Sequence, residues 1–450
     1  MTTFAHLSDL HLGAFRDPAL RAELLARFVA ATDLILSAKV DFVIIAGDLF
    51  QVNIPEIATV TEVARQLRRL QDAKIRTYII YGSHDYSPNH ASMVDVLAGA
   101  GLYQKVVEGE FTTEEGGEPL LRLRPFRDVP TGVTLVGMSG RKTTLERRYF
   151  EHLDLPALEQ LPGPKVFVFH SGITELRPVG IPESESVPSS LFPKGFDYYA
   201  GGHVHQRGVH GLHGAPMVYP GPLLGYDFRD LEAGALQPRG FYLVEIDQGR
   251  ATPRFVPVPG RDTVVVRQDA EGLSAEAAAG ALRAQLEATQ VADRIVLVHV
   301  AGQLASGRTS DIPWLALQQQ LRERGAFAVY VSRSQLRSTI VGRVSIGRSD
   351  SSHIEERVLA EYLDGPDPPA PTFRGDAGVS LARQLLEPLC AELQPGEAVA
   401  EGEDRKIEAA YQLLVSARDG AAGSPPQQRT LGDQETDSPH AGDEAGGEEE

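Results

Sequence analysis

With 450 residues the chain has room for two or three domains and a large core, and 42% hydrophobic with 23% charged residues is the balance of an ordinary globular protein. No apolar run reaches the ~18 residues that a membrane span needs, which sets membrane-embedded functions aside. The formal charge of −18 argues against a broad nucleic-acid-binding surface, but residues 421–450 hold eight acidic residues and one arginine, a net −7, leaving −11 for the rest. That remainder is compatible with a local basic groove and with bound divalent cations offsetting charge at a site.

The chain enters a strand pattern at once: Thr3-Phe4-Ala5-His6-Leu7 runs into Asp9-Leu10-His11-Leu12-Gly13. There is no basic segment followed by an apolar one, so no signal peptide is expected. The lone Cys390 allows no internal disulfide, and the expected location is a reducing cytoplasm. Over residues 19–38 Leu20, Leu24, Phe28 and Ile35 fall near one face of a predicted helix. Phe42-Val43-Ile44-Ile45-Ala46 is almost wholly apolar, as in a strand covered on both faces, and stops at Gly47-Asp48. A second helix is predicted from after Pro55 to about Leu70. A third strand over 77–81 ends in Gly82-Ser83-His84-Asp85.

Residues 106–140 read as β-rich, closing on a strand at 133–138. Val166-Phe167-Val168-Phe169 ends in His170-Ser171-Gly172, and the run from Phe196 to Gly202 ends in His203-Val204-His205. Strands are expected at 216–219, 241–246 and 254–258, with a domain end at 262. Residues 263–345 form a separate block. Within it strands at 263–266, 294–300 and 328–331 alternate with helices at 275–286 and 313–324, as in a small α/β domain. Residues 346–417 read as helices at 351–363, 377–393 and 396–417, each with one apolar stripe. Residues 418–450, rich in Gly, Ser, Pro and acid, are expected to be a disordered acidic tail.

Five apolar strands therefore deliver Asp9 and His11, Asp48, His84 and Asp85, His170, and His203 with His205. One such tip is an ordinary surface turn; five in succession point to a shared site at strand carboxyl ends. Mixed Asp/His donors suit Mn²⁺, Fe²⁺ or Zn²⁺, and a central carboxylate can bridge two ions. Two ions about 3.5–4 Å apart stabilise both oxygens of an in-line phosphoryl displacement.

In order, HLSDLHLG, AGDLF, YGSHD, HSGI and AGGHVH resemble the motifs of the calcineurin-like metallophosphoesterases, and most of all the SbcD-type DNA-repair nucleases. The resemblance implies a two-sheet β-sandwich flanked by helices, an α/β (α+β) fold. It implies that Asp9, His11, Asp48 and His205 hold one metal, with Asp48 bridging to a second held by His170, His203 and Ser83. His84, oriented by Asp85, would stay off the metals and serve the transferring phosphate as the catalytic pair. Residues 263–345 would be a capping domain that positions DNA, and 346–417 the segment that binds an SMC-like ATPase of the SbcC type. The implied activity is Mn²⁺-dependent hydrolysis of phosphodiester bonds at DNA ends by a homodimer. Two positions depart from the pattern: Ser83 replaces the usual Asn ligand, and Gln51 stands where some relatives have His. A phosphodiesterase acting on small nucleotides is the rival enzyme reading, and a DNA-end-binding subunit with weak catalysis is the rival outside catalysis. His6 is expected in the core; His90, His210 and His213 are expected in surface loops.

Overall fold

The apolar runs pair into two six-stranded sheets packed face to face. The computed structural model describes residues 1–85, 92–106, 109–113, 119–141, 146–176, 186–338, 359, 363, 375–391 and 399–421. The first sheet runs Arg250–Pro257, Gly240–Asp247, Thr2–Leu7, Phe42–Ala46, Arg76–Ile80, Gln104–Lys105. Its last four strands are parallel, and the two closing strands join antiparallel. The second sheet runs Gly208–Leu212, Ala215–Tyr219, Tyr198–Gly202, Lys165–His170, Val133–Met138, Phe126–Asp128, with four parallel strands inside and an antiparallel strand at each edge.

Alternation along each strand accounts for the unbroken apolar runs. Phe42, Ile44 and Ala46 point into the space between the sheets, where they meet Phe4, Tyr78, Ile80, Val166, Val168 and Tyr198. Val43 and Ile45 point the other way, onto Leu20, Leu24, Phe28 and Ile35 of the helix Pro18–Ala38 and onto Val63 and Leu67 of the helix Ile57–Asp72. Phe4 stacks on Phe42 at 4.9 Å between ring centroids and meets the edge of Tyr198 at 5.4 Å. Burying each such ring contributes roughly 1.5–3 kcal/mol. Phe167, Phe169 and Tyr199, on the outer face of the second sheet, pack with Phe150 and Phe192 in a further core.

Parallel neighbours lie level: Leu7 sits beside Ile45, Ile45 beside Ile79, and His170 beside Gly202. The polar tips that follow are thereby brought to one edge of the sandwich, which is where the site forms.

Residues 263–338 add a three-stranded parallel sheet, Thr263–Asp269, Ile295–Gln303 and Ala328–Arg337, with the helices Ala275–Ala288 and Trp314–Glu323. Its strands run several polar residues beyond the expected ends, because backbone pairing continues where the side chains no longer alternate. Val296 and Val298 face this sheet's own helices, while Ile295 and Leu297 join the helix-side core of the first sheet. Residues 1–339 accordingly form one compact unit and 340–450 a second. In the second unit the helices Gly375–Cys390 and Val399–Ala421 pack on each other, the latter extending past the expected end at 417. The expected helix at 351–363, apart from residues 359 and 363, and the acidic tail from 422 lie outside the described residues.

Among the elements without a counterpart in the sequence expectations are the helices Met93–Gly99 and Phe228–Leu236 and the strand Gly208–Leu212, while the antiparallel pair of Gly109–Thr112 with Leu120–Leu123 falls in the stretch read as β-rich. His210 therefore lies on an edge strand rather than in a loop, His213 is in the turn that follows, and His90 falls outside the described residues. Among the described residues no helix is long and apolar enough to cross a membrane.

Candidate metal centre

The strand tips turn sharply. Asp9, His11, Asp48 and His203 all adopt left-handed backbone, with φ of 53°, 44°, 51° and 86°. Asp and His tolerate that region better than most side chains, yet it is a strained conformation that needs outside support. Support comes from neighbouring tips: Asp9 N donates to Gly47 O at 3.1 Å and His11 N to Asp48 O at 2.9 Å. Two glycines are required by close approach. A Cβ on Gly47 (φ 88°) would lie 2.4 Å from His170 Nδ1, and one on Gly82 would lie 2.0 Å from Asp48 Oδ1.

Three overlapping groups of donor atoms result, each with all atoms within 4.8 Å of one another: Asp9, His11 and His205; His11, Asp48 and His84; Asp9, Asp48 and His170. Asp48 thus lies between His11, 3.7 Å from its Oδ2, and His170, 3.2 Å from the same oxygen. The His203 ring packs on His170 with centroids 5.3 Å apart, and its backbone N–H donates to Asp9 Oδ1 at 2.9 Å. Ser83 Oγ is 3.5 Å from Asp48 Oδ2, at the far edge of hydrogen-bonding range. Every residue expected at the site is therefore near it, Ser83 the least engaged.

Asp85 departs from expectation. Its fully buried carboxylate accepts from the backbone N–H groups of Leu49, Phe50 and Gly82, tying the second and third tips together. Burial, with Asp48 nearby, raises its pKa to about 6. The group that holds His84 is instead the carbonyl oxygen of Gln51, 2.9 Å from Nδ1. A peptide oxygen makes that contact whatever the side chain at position 51, so the replacement of His by Gln does not remove it.

The donors suit divalent cations. His205 Nδ1 faces both oxygens of Asp230 at 2.8 and 2.9 Å and carries the hydrogen there, so that in the neutral ring Nε2 offers its lone pair. That atom is 3.1 Å from His11 Nε2. The two nitrogens are close enough for one ion to be held by both at the ~2.1 Å usual for a metal–imidazole bond. His170 donates through Nδ1 to Ala46 O at 2.8 Å, and its buried Nε2, though close to Asp48, has no hydrogen-bond partner. Burial opposes charge on His170, but the Asp48 and Asp9 carboxylates outweigh it and lift its pKa to about 10. The same interplay holds Asp48 ionised: burial raises its pKa, and His170 more than offsets that. The ionised Asp48 carboxylate favours positive charge beside it, even though burial pushes His11 and His203 the other way.

Sequence reasoning overlooked Asp230, Arg239 and Tyr226. Asp230 anchors His205, Arg239 donates to the carbonyl oxygens of both His205 and Asp230, and Tyr226 packs its ring 4.6 Å from that of His11. The only sequence signal for Tyr226 and Asp230 was an acidic and aromatic cluster, Gly225-Tyr226-Asp227-Phe228-Arg229-Asp230, in a stretch without strand periodicity, and Arg239 lies beyond it.

Residues 2–207 match the family model for calcineurin-like phosphoesterases. Over 54% of its length the chain is 30% identical to the DNA double-strand break repair protein Mre11 of Methanopyrus kandleri, covering 54% of that protein. It is 27% identical to the Mre11 protein of Archaeoglobus fulgidus, covering 60% of this chain and 63% of the relative. It is 24% identical to the uncharacterised metallophosphoesterase YhaO of Bacillus subtilis, covering 56% and 59%. The chain thus spans between half and two thirds of the curated relatives it matches. With the five motifs at the ends of a two-sheet sandwich, residues 2–207 are a calcineurin-like metallophosphoesterase domain with Mre11 proteins as homologues.

Proposed function

We propose that the chain is the nuclease subunit of a DNA-end-processing machine, hydrolysing phosphodiester bonds as a homodimer with an SMC-like ATPase of the SbcC type. The observation that carries the hydrolytic part is Asp48, seated between His11 and His170 with further Asp and His donors on either side. In this reading Asp9, His11, Asp48 and His205 hold one divalent ion, and Asp48, His170, His203 and Ser83 the other. Two bound ions, Mn²⁺ in this proposal, supply a Lewis-acid clamp on the phosphoryl oxygens and an activated water at neutral pH.

The chain's own groups do the rest. Asp48 and Asp9 place negative charge at the centre. His84, with Nδ1 held by the Gln51 carbonyl oxygen, turns its other nitrogen to the phosphate and, when doubly protonated, can hand a proton to the leaving oxygen. Asp85 keeps the tips in register through the backbone N–H groups of Leu49, Phe50 and Gly82. The names of the archaeal relatives, the added α/β sheet and the paired C-terminal helices support DNA over a small diester as substrate.

The test is hydrolysis by the purified chain with Mn²⁺, with and without the ATPase, on linear duplex DNA, single-stranded DNA and bis(p-nitrophenyl) phosphate. Loss of DNA from its ends, abolished by Asp48→Asn, is the expected result. Turnover of the small diester with DNA left intact would replace the DNA reading with a small-phosphodiester one.

A further inference from the structure

The helix Phe228–Leu236 and the residues leading into it touch two parts of the molecule at once. On one side Asp230, 5% exposed, presents its carboxylate to His205 Nδ1. Its Oδ2 also accepts from Tyr226 N at 3.1 Å. Buried Arg239 closes the brace by donating Nη1 to His205 O at 2.9 Å and Nη2 to Asp230 O at 2.7 Å. Two residues before and two after Asp230, on the opposite side of the helix, Phe228 and Glu232 face the α/β sheet. The Phe228 ring lies 5.8 Å from that of His299 and 5.7 Å from that of Tyr330, and Glu232 pairs with Arg267. These partners come from all three strands of that sheet.

One short helix thus carries an anchor in the α/β sheet and the carboxylate that orients a metal donor, only two positions apart. We infer that Asp230 is a positioning residue that fixes His205 with Nε2 toward the first metal, and that contacts of Phe228 and Glu232 with the α/β sheet hold it there. This rests on the two-ion reading above but adds to it: the seating of the α/β domain sets the affinity of one metal site and leaves the other alone. The reason is geometric. His205 belongs to the group with Asp9 and His11, whereas His170 is held by the Ala46 carbonyl oxygen, remote from this helix in the hydrogen-bond pattern.

The test is Mn²⁺ titration of the full chain by calorimetry and electron paramagnetic resonance, which read binding independently of turnover. Asp230→Asn should weaken one of two sites by about 10- to 100-fold, the usual consequence of removing a carboxylate behind a metal-bound histidine, and Asp230→Glu should restore part of it. Phe228→Ala combined with Glu232→Gln should weaken the same site by roughly 2- to 30-fold. Two ions bound with unchanged affinities in Asp230→Asn would overturn the positioning role while leaving the metallophosphoesterase reading standing. Unchanged affinities in the double variant alone would overturn the link to the α/β sheet. No binding by the unaltered protein would remove both. Should Asp230→Asn fail to fold, ¹⁵N spectra of His205 in the metal-free protein at alkaline pH decide the matter. Hydrogen on Nδ1 supports the positioning role, and hydrogen on Nε2 overturns it.

Discussion

His6 and His170 occupy comparable places in the two sheets, one near the end of Thr2–Leu7 and the other closing Lys165–His170, and both are buried. Their surroundings differ by a single kind of neighbour. His6 lies in the inter-sheet core with its Nδ1 2.9 Å from the Tyr198 hydroxyl, and burial drives its pKa down to about 3. His170 suffers the same burial, but Asp48 and Asp9 reverse its effect. Burial by itself keeps His6 neutral, whereas the carboxylates of Asp48 and Asp9 favour the charged form of His170; at His11 and His203 burial still prevails and lowers the pKa to about 3 and about 4. The core and the rim are built from the same strands, a few residues apart.

The largest expected effect separates them. Asp48→Asn should lower Mn²⁺-dependent phosphodiester hydrolysis by ~10³-fold or more, since it removes the group common to both halves of the centre. Phe4→Ala, in the core, should cost about 3–5 kcal/mol in urea unfolding while folded protein keeps its turnover. A core variant that abolished hydrolysis without unfolding, or a rim variant that only unfolded, would erase the distinction.

Asp85→Asn probes the boundary. An amide in place of the carboxylate loses part of its bonding to three backbone N–H groups and should destabilise the protein by about 1–3 kcal/mol. Hydrolysis should fall far less than in Asp48→Asn; an equal fall would give Asp85 the role at His84 that the geometry assigns to Gln51 O.

Much of this was legible in the residues. Continuous apolar runs such as Phe42 to Ala46 announced strands covered on both faces, and the tips that followed them held every donor later found together. What the sequence could not convey was hydrogen-bond direction. His84-Asp85 reads as a pair, but His84 Nδ1 meets the Gln51 carbonyl oxygen and Asp85 satisfies peptide groups instead. Asp230 stayed hidden because it acts through His205 from a helix 25 residues downstream, with no periodicity or motif connecting them. The added sheet was seen, but its edges were not, because the last residues of its strands are polar.

The pH dependence of stability offers a finer test. His6 keeps no proton in the folded state until about pH 3, whereas the unfolded chain binds one below about 6.5. Acid therefore favours unfolding through that window, a cost of roughly 2 kcal/mol by pH 5 from this one group. His6→Gln should flatten that part of the acid limb and leave metal content unchanged; an unchanged limb would show that His6 is not held neutral. The smallest effect is expected from Ser83→Asn. A longer amide oxygen in place of a hydroxyl 3.5 Å from Asp48 should tighten Mn²⁺ binding at the His170 side a few-fold in calorimetry. No change would place Ser83 outside the metal's reach.

The central claim, that tips from both sheets build one two-ion centre, is tested most directly by anomalous diffraction from crystals grown with Mn²⁺. Two peaks are expected, one among Asp9, His11 and His205 and one beside Asp48 and His170. An empty map at the strand tips, or manganese bound only elsewhere, would contradict it.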